Sequence, residues 1–281
     1  MTLHIRNLQQ ADCEAAARVA QAAFGWNESH LEDLHRYFEI QPDGYFIAEQ
    51  GGVILGMVGA VDYGSFAYIG HMAVQPEFQS HGIGHRLMTH LLAWLEERGV
   101  PALLDASDKG YPLYAKLGFI ETDLVCVYVQ TQPLEIAYAL PQAVEEIGLQ
   151  HLDELAEFDA PYFGADRKRV LFYLLRDFPG RALAVRDRTG RLSGYLIAQD
   201  RRLGPWVARG AEEASALLLV ALSWLLPGAP ILTQPQLNSE GRELVHRLGF
   251  RQVRTLRHMQ RGEIPLRQRA HMYGLASFAL G

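Results

Sequence analysis

Residues 79–84 read Gln-Ser-His-Gly-Ile-Gly and stand directly before a run of apolar residues with helical spacing. Gly82 and Gly84 permit backbone angles that other residues resist, and the first N–H groups of a helix lack internal acceptors. Such N–H groups bind phosphate well, because the positive end of the helix dipole adds to their hydrogen bonds. The stretch therefore predicts an anion-binding loop between a strand and a helix.

Three kinds of glycine loop compete for this stretch. A dinucleotide-binding fingerprint requires a third small residue three places after Gly84, where the chain has Leu87. A nucleotide-hydrolase P-loop requires Gly-Lys followed by Ser or Thr, which the stretch lacks. A glycine turn that merely begins a helix is the third interpretation.

Length and composition indicate a globular protein of two domains. The chain has 281 residues, of which 49% are hydrophobic, enough for two ordinary cores. The formal net charge is −6, and no basic run appears that would neutralise phosphates along a nucleic acid. We therefore expect no nucleic-acid partner.

The cysteines and the N-terminus exclude other classes of protein. Cys13 and Cys126 are the two cysteines, and neither has the spacing of a zinc site or a disulfide framework. No apolar run reaches the length of a membrane span, and the first residues lack a signal-peptide pattern. We expect a soluble cytoplasmic protein with no metal and no membrane partner.

Apolar periodicity predicts an alternation of strands and helices in the first half of the chain. The predicted strands are residues 3–6, 45–49, 53–61, 65–74, 102–106 and 124–130. The predicted helices are residues 9–24, 28–38, a long helix from Ile83 that ends before Gly99, and a short helix before Gly118. The glycine loop lies between the fourth strand and the long helix.

The second half repeats this order. Its predicted helices are residues 147–158, 167–178, 212–226 and 240–247, and its predicted strands are 181–186, 192–199, 204–208 and 231–233. Leu248-Gly249-Phe250 matches Leu117-Gly118-Phe119, and a crossing segment with two prolines separates the halves at 131–141. A repeat of about 130 residues predicts two copies of one α/β fold. Residues 272–281 are left unassigned, and a final strand that packs across the halves is one interpretation of them.

The two halves differ where function is expected. In place of the glycine loop, the second half has Arg-Gly-Ala-Glu-Glu-Ala at residues 209–214, and its carboxylates would repel a pyrophosphate. Tyr114, four residues before Gly118, has Val245 as its counterpart. A phenol near a thioester can donate a proton to a departing thiolate, whereas valine cannot. Alternatively, Tyr114 is a core aromatic residue under Phe119.

These residues resemble a known family. Val74, the Gln79-x-x-Gly82-x-Gly84 loop and the Tyr114-x-x-x-Gly118-Phe119 segment are similar to motifs of the GNAT acyl-CoA N-acyltransferases. The whole chain resembles a tandem GNAT protein with an intact first copy and a degenerate second copy. The implied fold is α/β (α+β), with two GNAT-like domains, each a twisted, mixed, mainly antiparallel sheet flanked by helices.

The resemblance also implies a function for each half. Residues 1–130 would bind acetyl-CoA and carry the catalysis, and residues 131–281 would be structural or select the acceptor. An amine would attack the thioester directly, and Tyr114 would protonate the CoA thiolate. The implied CoA-binding residues are Met72, Ala73, Val74, Gln79, Ser80, His81, Gly82, Ile83, Gly84 and His85.

The resemblance does not identify the residue that acts as general base. Candidates by placement are Glu28, Asp62, His71 and Asp105. His71 is the first to test, because it lies on the strand that enters the loop, although a structural histidine is the alternative.

Other interpretations of function and assembly also remain. A non-catalytic acyl-CoA sensor would keep the glycine loop without turnover, and a third possibility places the acyl-CoA site in the second half. The expected partner is a small-molecule amine acceptor, and the expected assembly is a monomer or a homodimer.

Overall fold

The computed structural model describes residues 2–132, 144–224 and 226–281. The chain divides into two compact units. Unit 1 comprises Met1–Ile120, Met259–Ile264 and Phe278–Leu280, and unit 2 comprises Glu121–His258, Pro265–Ser277 and Gly281. The predicted crossing segment lies outside the described residues from Pro133 onward. The predicted domain boundary at residue 130 stays a prediction.

Unit 1 is a sheet with helices on both faces. Its strands are β1 (His4–Asn7), β2 (Tyr45–Gln50), β3 (Val53–Asp62), β4 (Ala67–Val74) and β5 (Ala102–Ala106), in that spatial order. Its helices are α1 (Cys13–Phe24), α2 (Leu31–Ile40), α3 (Ile83–Arg98) and α4 (Tyr111–Lys116). The strand pairs are antiparallel except for β4 with β5, which is parallel.

Helix α3 forms because its leucines recur at helical spacing and bury one face. Leu87, Leu91 and Leu95 are fully or almost fully buried and share a core with Val58 and Ile69 of the sheet. The helix ends at Gly99, whose φ of +67° is a left-handed cap conformation that glycine adopts without strain. This packing fixes the direction of α3, and hence the position of its first turn at the end of β4.

Unit 2 repeats the mixed architecture. Its strands are β6 (Ile120–Gln130), β7 (Val144–Ile147), β8 (Ala182–Arg186), β9 (Leu192–Gln199), β10 (Arg202–Ala208), β11 (Ile231–Pro235), β12 (Phe250–Arg261) and β13 (Met272–Gly274). The spatial order is β12-β6-β11-β10-β9-β8-β7, and β13 pairs with β10. Its helices are α5 (Leu152–Phe163), α6 (Lys168–Asp177), α7 (Ala211–Ser223) and α8 (Ser239–Arg247).

The units are not continuous in sequence. Strand β6 follows the helices of the first half but pairs with β11 inside unit 2, from Val129 opposite Ile231 to Val125 opposite Pro235. The end of β12, Met259–Arg261, belongs to unit 1. Each unit is therefore completed by a strand from the other half of the sequence.

The predicted fold class is confirmed, and the predicted start of one helix is wrong. The sequence pattern predicts a helix from residue 147, but Val144–Ile147 is strand β7 and α5 begins at Leu152. Pairing of β7 with β8 outweighs the helix propensity of its glutamates, and Gly148 has an extended backbone that separates strand from helix. In the described ranges, every helix is too short or too polar to cross a bilayer.

Candidate functional site

The glycine loop makes a tight turn into α3. Ser80 and Gly82 have φ angles of +66° and +79°, and Gly82 is the N-cap of the helix. The first helical hydrogen bond runs from Arg86 N–H to Gly82 O at 3.1 Å. The N–H groups of Ile83, Gly84 and His85 precede that bond and point out of the helix end. The loop thus presents several backbone donors at the positive end of a helix of 16 residues.

The side chains beside the glycine loop favour a negatively charged ligand. The first turn of α3 contains no acidic residue. The Gln79 side chain donates from Nε2 to the Val74 carbonyl oxygen at 2.9 Å, which ties the loop to the end of β4. Lys109 Nζ donates to Gln79 Oε1 at 2.5 Å and brings a positive charge to the loop. The charge and the donors together favour an anion.

The corresponding helix of unit 2 begins differently. Gly210, the N-cap of α7, has φ −156° and ψ 175°, and Glu212 and Glu213 occupy the first turn. The Glu213 carboxylate lies at the start of its own helix, because its Oε2 is 3.2 Å from where a Cβ on Gly210 would lie. That carboxylate meets the positive end of the helix dipole and would repel a phosphate.

Strands β4 and β5 stop pairing with each other beside the glycine loop. Their parallel register covers Ala67–Ile69 opposite Ala102–Leu104. On its other edge β4 stays paired with β3 through Val74, with a register shift at His71, whose φ is +51°. The edge of β4 from Gly70 to Val74 that faces β5 therefore lies beyond the parallel register. A substrate amide could pair with that edge as an added strand does.

The equivalent gap in unit 2 holds part of the chain itself. β10 and β11 pair in parallel at Arg202 and Ile231. Beyond that point β13 pairs with β10, with Gly274 opposite Trp206 and Met272 opposite Val207. Leu275 N–H then donates to the Thr233 carbonyl oxygen of β11 at 2.7 Å. Residues 272–275 thus hydrogen-bond with both strands that border the gap.

Tyr114 is a core residue and a potential acid at once. Its side chain lies in the α3 core with 9% exposure, edge-on to the Phe119 ring at a centroid distance of 6.1 Å. Its ring packs on Gly110, where an added Cβ would lie 2.9 Å from Cε2. Burial raises the pKa of the hydroxyl above its usual value, so the phenol keeps its proton at neutral pH.

His71 contacts aromatic side chains of α2 and β2. Its ring centroid lies 4.9 Å from that of Tyr37 and 6.0 Å from that of Tyr45. With Trp26 and His30, from the connection between α1 and α2, it lines one small cavity. The structure thus places His71 at the register shift of β4, beside the α1–α2 connection.

The other candidate bases lie apart from one another. Glu28 is exposed between α1 and α2. Asp62, at the turn between β3 and β4, accepts a hydrogen bond from Gly64 N–H at 2.7 Å and lies 4.0 Å from Arg98 Nε. Asp105, in β5, accepts a hydrogen bond from the Tyr68 hydroxyl at 2.5 Å. Of these three, Asp105 is the one next to the point where β4 and β5 part.

Comparison with known proteins identifies the family. The model of the acetyltransferase (GNAT) family matches residues 5–119, and a second model, of an acetyltransferase (GNAT) domain, matches residues 155–274. The chain belongs to the GNAT acetyltransferase family. The two matches make it a tandem GNAT protein, as the sequence motifs predict.

Individual relatives agree with this assignment. The uncharacterized N-acetyltransferase YitH of Bacillus subtilis (strain 168) is 24% identical over 92% of this chain and 91% of its own length. The [ribosomal protein bS18]-alanine N-acetyltransferase of Escherichia coli (strain K12) is 30% identical over 45% of this chain and 87% of its own length. A crystal structure of a putative acetyltransferase from Pyrococcus horikoshii superposes with a TM-score of 0.89 at 26% identity, covering 99% of this chain and 96% of that one.

Sequence reasoning did not single out two residues that the structure places beside candidate site residues. Lys109 gave no signal, because its contact with Gln79 crosses 30 positions of sequence. Tyr68 has the alternation of an ordinary strand residue, and only the fold brings its hydroxyl to Asp105. Within the described ranges, no group of three or more His, Cys, Asp or Glu side chains is arranged to hold a metal ion.

Proposed function

We propose that this GNAT protein transfers an acetyl group from acetyl-CoA to the amino group of a small molecule, and that unit 1 carries the reaction. The observation that carries the proposal is the start of α3, where backbone donors point out of a helix end whose first turn has no acidic residue. The CoA pyrophosphate is the anion that such a site suits. Lys109, held on Gln79, adds a favourable charge.

The rest of the substrate fits the neighbouring strand. The β4 edge at Met72, Ala73 and Val74 supplies N–H and C=O groups for the pantetheine amides, as an added strand would use them. The thioester would then lie near the point where β4 and β5 separate. The amine attacks the thioester carbonyl carbon, the C–S bond breaks, and the Tyr114 hydroxyl donates a proton to the thiolate.

Tyr114 carries the proton that the role of acid requires, since a tyrosine hydroxyl is protonated at neutral pH and burial raises its pKa further. His71 as general base stays a prediction; its aromatic contacts with Tyr37 and Tyr45 agree equally with a packing role.

The second domain is proposed to bind no acyl-CoA. Glu212 and Glu213 place negative charge at the start of α7, and β13 already pairs with β10 where a pantetheine arm would lie. One acyl-CoA per chain is the expected stoichiometry.

Calorimetry with acetyl-CoA tests the binding site. Wild-type protein should bind one equivalent, and Gly82→Glu should weaken binding by at least tenfold, because a carboxylate would then face the pyrophosphate. Gly64→Glu is the matched control, since Gly64 has the same φ of +79°, and both positions leave open space for a side chain. Binding that survives Gly82→Glu would disprove the loop assignment, and two equivalents per chain would disprove the inactive second site.

Turnover separates an enzyme from an acyl-CoA sensor. Release of free thiol from acetyl-CoA in the presence of primary amines, together with the acetylated amine by mass spectrometry, is the expected result. Tight acetyl-CoA binding without thiol release over a broad amine panel would favour a sensor instead.

A further inference from the structure

Gly59 and Gly70 lie side by side in the sheet of unit 1, with their side-chain positions on the face away from α3. They are paired in the register of β3 with β4. Side chains alternate between the two faces along a strand, and their sequence neighbours Val58, Ala60 and Ile69 belong to the α3 core. Gly70 is also the first residue of β4 beyond its parallel register with β5. The two glycines therefore mark the face away from α3 at the point where β4 and β5 separate.

Other parts of unit 1 fill the side-chain space above both glycines. The ring of Tyr45 occupies that space at Gly59, where an added Cβ would overlap the ring. At Gly70 an added Cβ would lie 2.5 Å from both Cα and Cβ of Ala279 and 3.1 Å from the carbonyl oxygen of Phe278. Residues 278–280, which belong to unit 1 and form a turn, therefore pack directly on the backbone of β4.

The 278–280 turn is held in place. The Tyr63 hydroxyl donates to the carbonyl oxygen of Leu280 at 2.8 Å. Ala279 is 4% exposed and Leu280 is fully buried. Buried groups yield little space to an added atom, because protein interiors are close-packed and contain few voids. The turn is thus a fixed surface beside the strand separation.

The acceptor has to approach the thioester from the face that carries this turn. In the proposed reaction the thioester lies where β4 and β5 separate. The opposite face of the sheet is filled there by the α3 core, which includes Ile69, Leu104 and Tyr114. Tyr114, the proposed acid, therefore meets the sulfur from the α3 side, and the amine reaches the carbonyl carbon from the side of Ala279.

The corresponding glycine of unit 2 is covered in a different way. Gly204 lies in the register shift of β10, just as Gly70 borders that of β4, and the carbonyl oxygen of Leu275 occupies its side-chain space. There residues 272–275 hydrogen-bond with both β10 and β11 and fill the gap between them. In unit 1 the covering residues form a turn instead of a strand, so they bound the gap from one face.

We propose that the 278–280 turn is the acceptor-side wall of the site and that Ala279 restricts the acceptor to primary amines whose nitrogen is attached to an unbranched carbon. The inference rests on the proposed acetyl transfer and specifies the shape of the acceptor. A methyl branch next to the nitrogen has to enter the space above β4 that Ala279 occupies. An unbranched amine carries only hydrogen atoms at that position and avoids this overlap.

Isomeric amines test this restriction. The probes are n-butylamine and sec-butylamine, which have the same composition and are both cationic at pH 7. Benzylamine and 1-phenylethylamine are a second pair that differs by the same methyl branch. One methyl group in a packed site typically changes kcat/KM by about 10–200-fold, so we expect wild-type protein to favour the unbranched amine of each pair by about tenfold or more.

Removal of the Ala279 methyl group should relax this selection. In Ala279→Gly the kcat/KM ratio of the unbranched to the branched amine should fall by about fivefold or more, through a gain for the branched amine. Ala279→Ser keeps a side chain of similar size and should keep the wild-type ratio within about twofold. Both rates of a ratio come from one protein sample, so a partial loss of folded protein cancels.

The matched control is Ala184→Gly. Ala184 is fully buried in β8 of unit 2, and the substitution removes the same methyl group from another place in the chain. The control should keep the wild-type ratio within about twofold, because its position borders no proposed substrate. Acetyl-CoA affinity by calorimetry should be the same in all of these proteins.

Several results would overturn the inference. A wild-type protein that acetylates both isomers of each pair equally well has no such wall. An unchanged ratio in Ala279→Gly, or an equal change in Ala184→Gly, would remove Ala279 from the selection. These outcomes leave the proposed function intact, since acetyl transfer still occurs. A wild-type protein that acetylates no primary amine would refute the proposed function, and this inference with it.

Discussion

Ala279 packs directly on the backbone of Gly70, more than 200 positions away in the sequence. A Cβ added to Gly70 would lie 2.5 Å from the Cα and the Cβ of Ala279 and 3.1 Å from the carbonyl oxygen of Phe278. Gly70 is the residue directly after the last parallel pair of β4 with β5. Only a residue without a side chain permits this close approach.

Gly70→Ala should therefore destabilise the protein by overpacking. Extra atoms in a closely packed position typically cost about 1–3 kcal/mol. We expect a loss in that range in the free energy of unfolding, measured by urea denaturation. Ala279→Gly in the same chain removes one of the three contacted atoms, the Cβ of Ala279, and should recover part of the loss in the free energy of unfolding. A double variant no more stable than Gly70→Ala would contradict this explanation.

Tyr114→Phe should lower kcat and leave acetyl-CoA affinity unchanged. The substitution keeps the ring that packs on Phe119 and Gly110 and removes only the hydroxyl. Loss of a proton donor typically costs about 10²-fold or more in rate. Tyr111→Phe, in the same short helix, is the control and should retain activity. Wild-type turnover in Tyr114→Phe would remove Tyr114 from the mechanism.

A buried ion pair in unit 2 should be sensitive to loss of one partner. Arg167 and Asp159 are 1% and 0% exposed, and Arg167 Nε donates to Asp159 Oδ2 at 2.6 Å. The Tyr195 hydroxyl donates to the same carboxylate at 2.6 Å. Arg167→Met leaves the Asp159 carboxylate buried without its cation. Such a change typically lowers the free energy of unfolding by about 3–5 kcal/mol.

The matched control for this pair is Arg176→Met. The Arg176 side chain is 41% exposed where it pairs with Asp177, and exposed pairs contribute about 0–1 kcal/mol. Chemical denaturation of both variants should show a much larger loss in the free energy of unfolding for Arg167→Met than for Arg176→Met. Similar losses in the free energy of unfolding for the two variants would mean that burial of an ion pair does not determine the cost of removing its arginine.

Acid should weaken the contact between β1 and the start of α1. Arg6 donates to Asp12 at 2.6 Å, and this hydrogen bond lowers the pKa of the Asp12 carboxyl in the folded state. A lowered pKa means that the stabilisation is complete above the unfolded value of about 3.9 and is lost as pH falls through the lower, folded pKa. Asp12→Asn should remove this part of the pH dependence of unfolding below pH 4. Identical slopes for the variant and the wild type in that range would disprove the linkage.

Much of the fold follows from local sequence patterns. The leucine spacing of α3, the hairpin of β2 and β3, and the repeated order of elements each depend on residues close in sequence, which is why their prediction is confirmed. The loop conformation also follows locally, since Gly82 has the positive φ that its residue type permits. The predicted helix at 147–158 begins too early, because pairing with β8, a distant partner, makes Val144–Ile147 a strand, and α5 begins at Leu152.

The sequence by itself determined the family motifs, the glycine turn and the contrast between Gly82 and Glu212 at the starts of two helices, because each is written in consecutive residues. The tertiary structure alone decided which distant groups meet. It brought Tyr68 to Asp105, Ala279 to Gly70, and β13 to the gap between β10 and β11. Such contacts depend on sheet register and chain crossing, which no local pattern encodes.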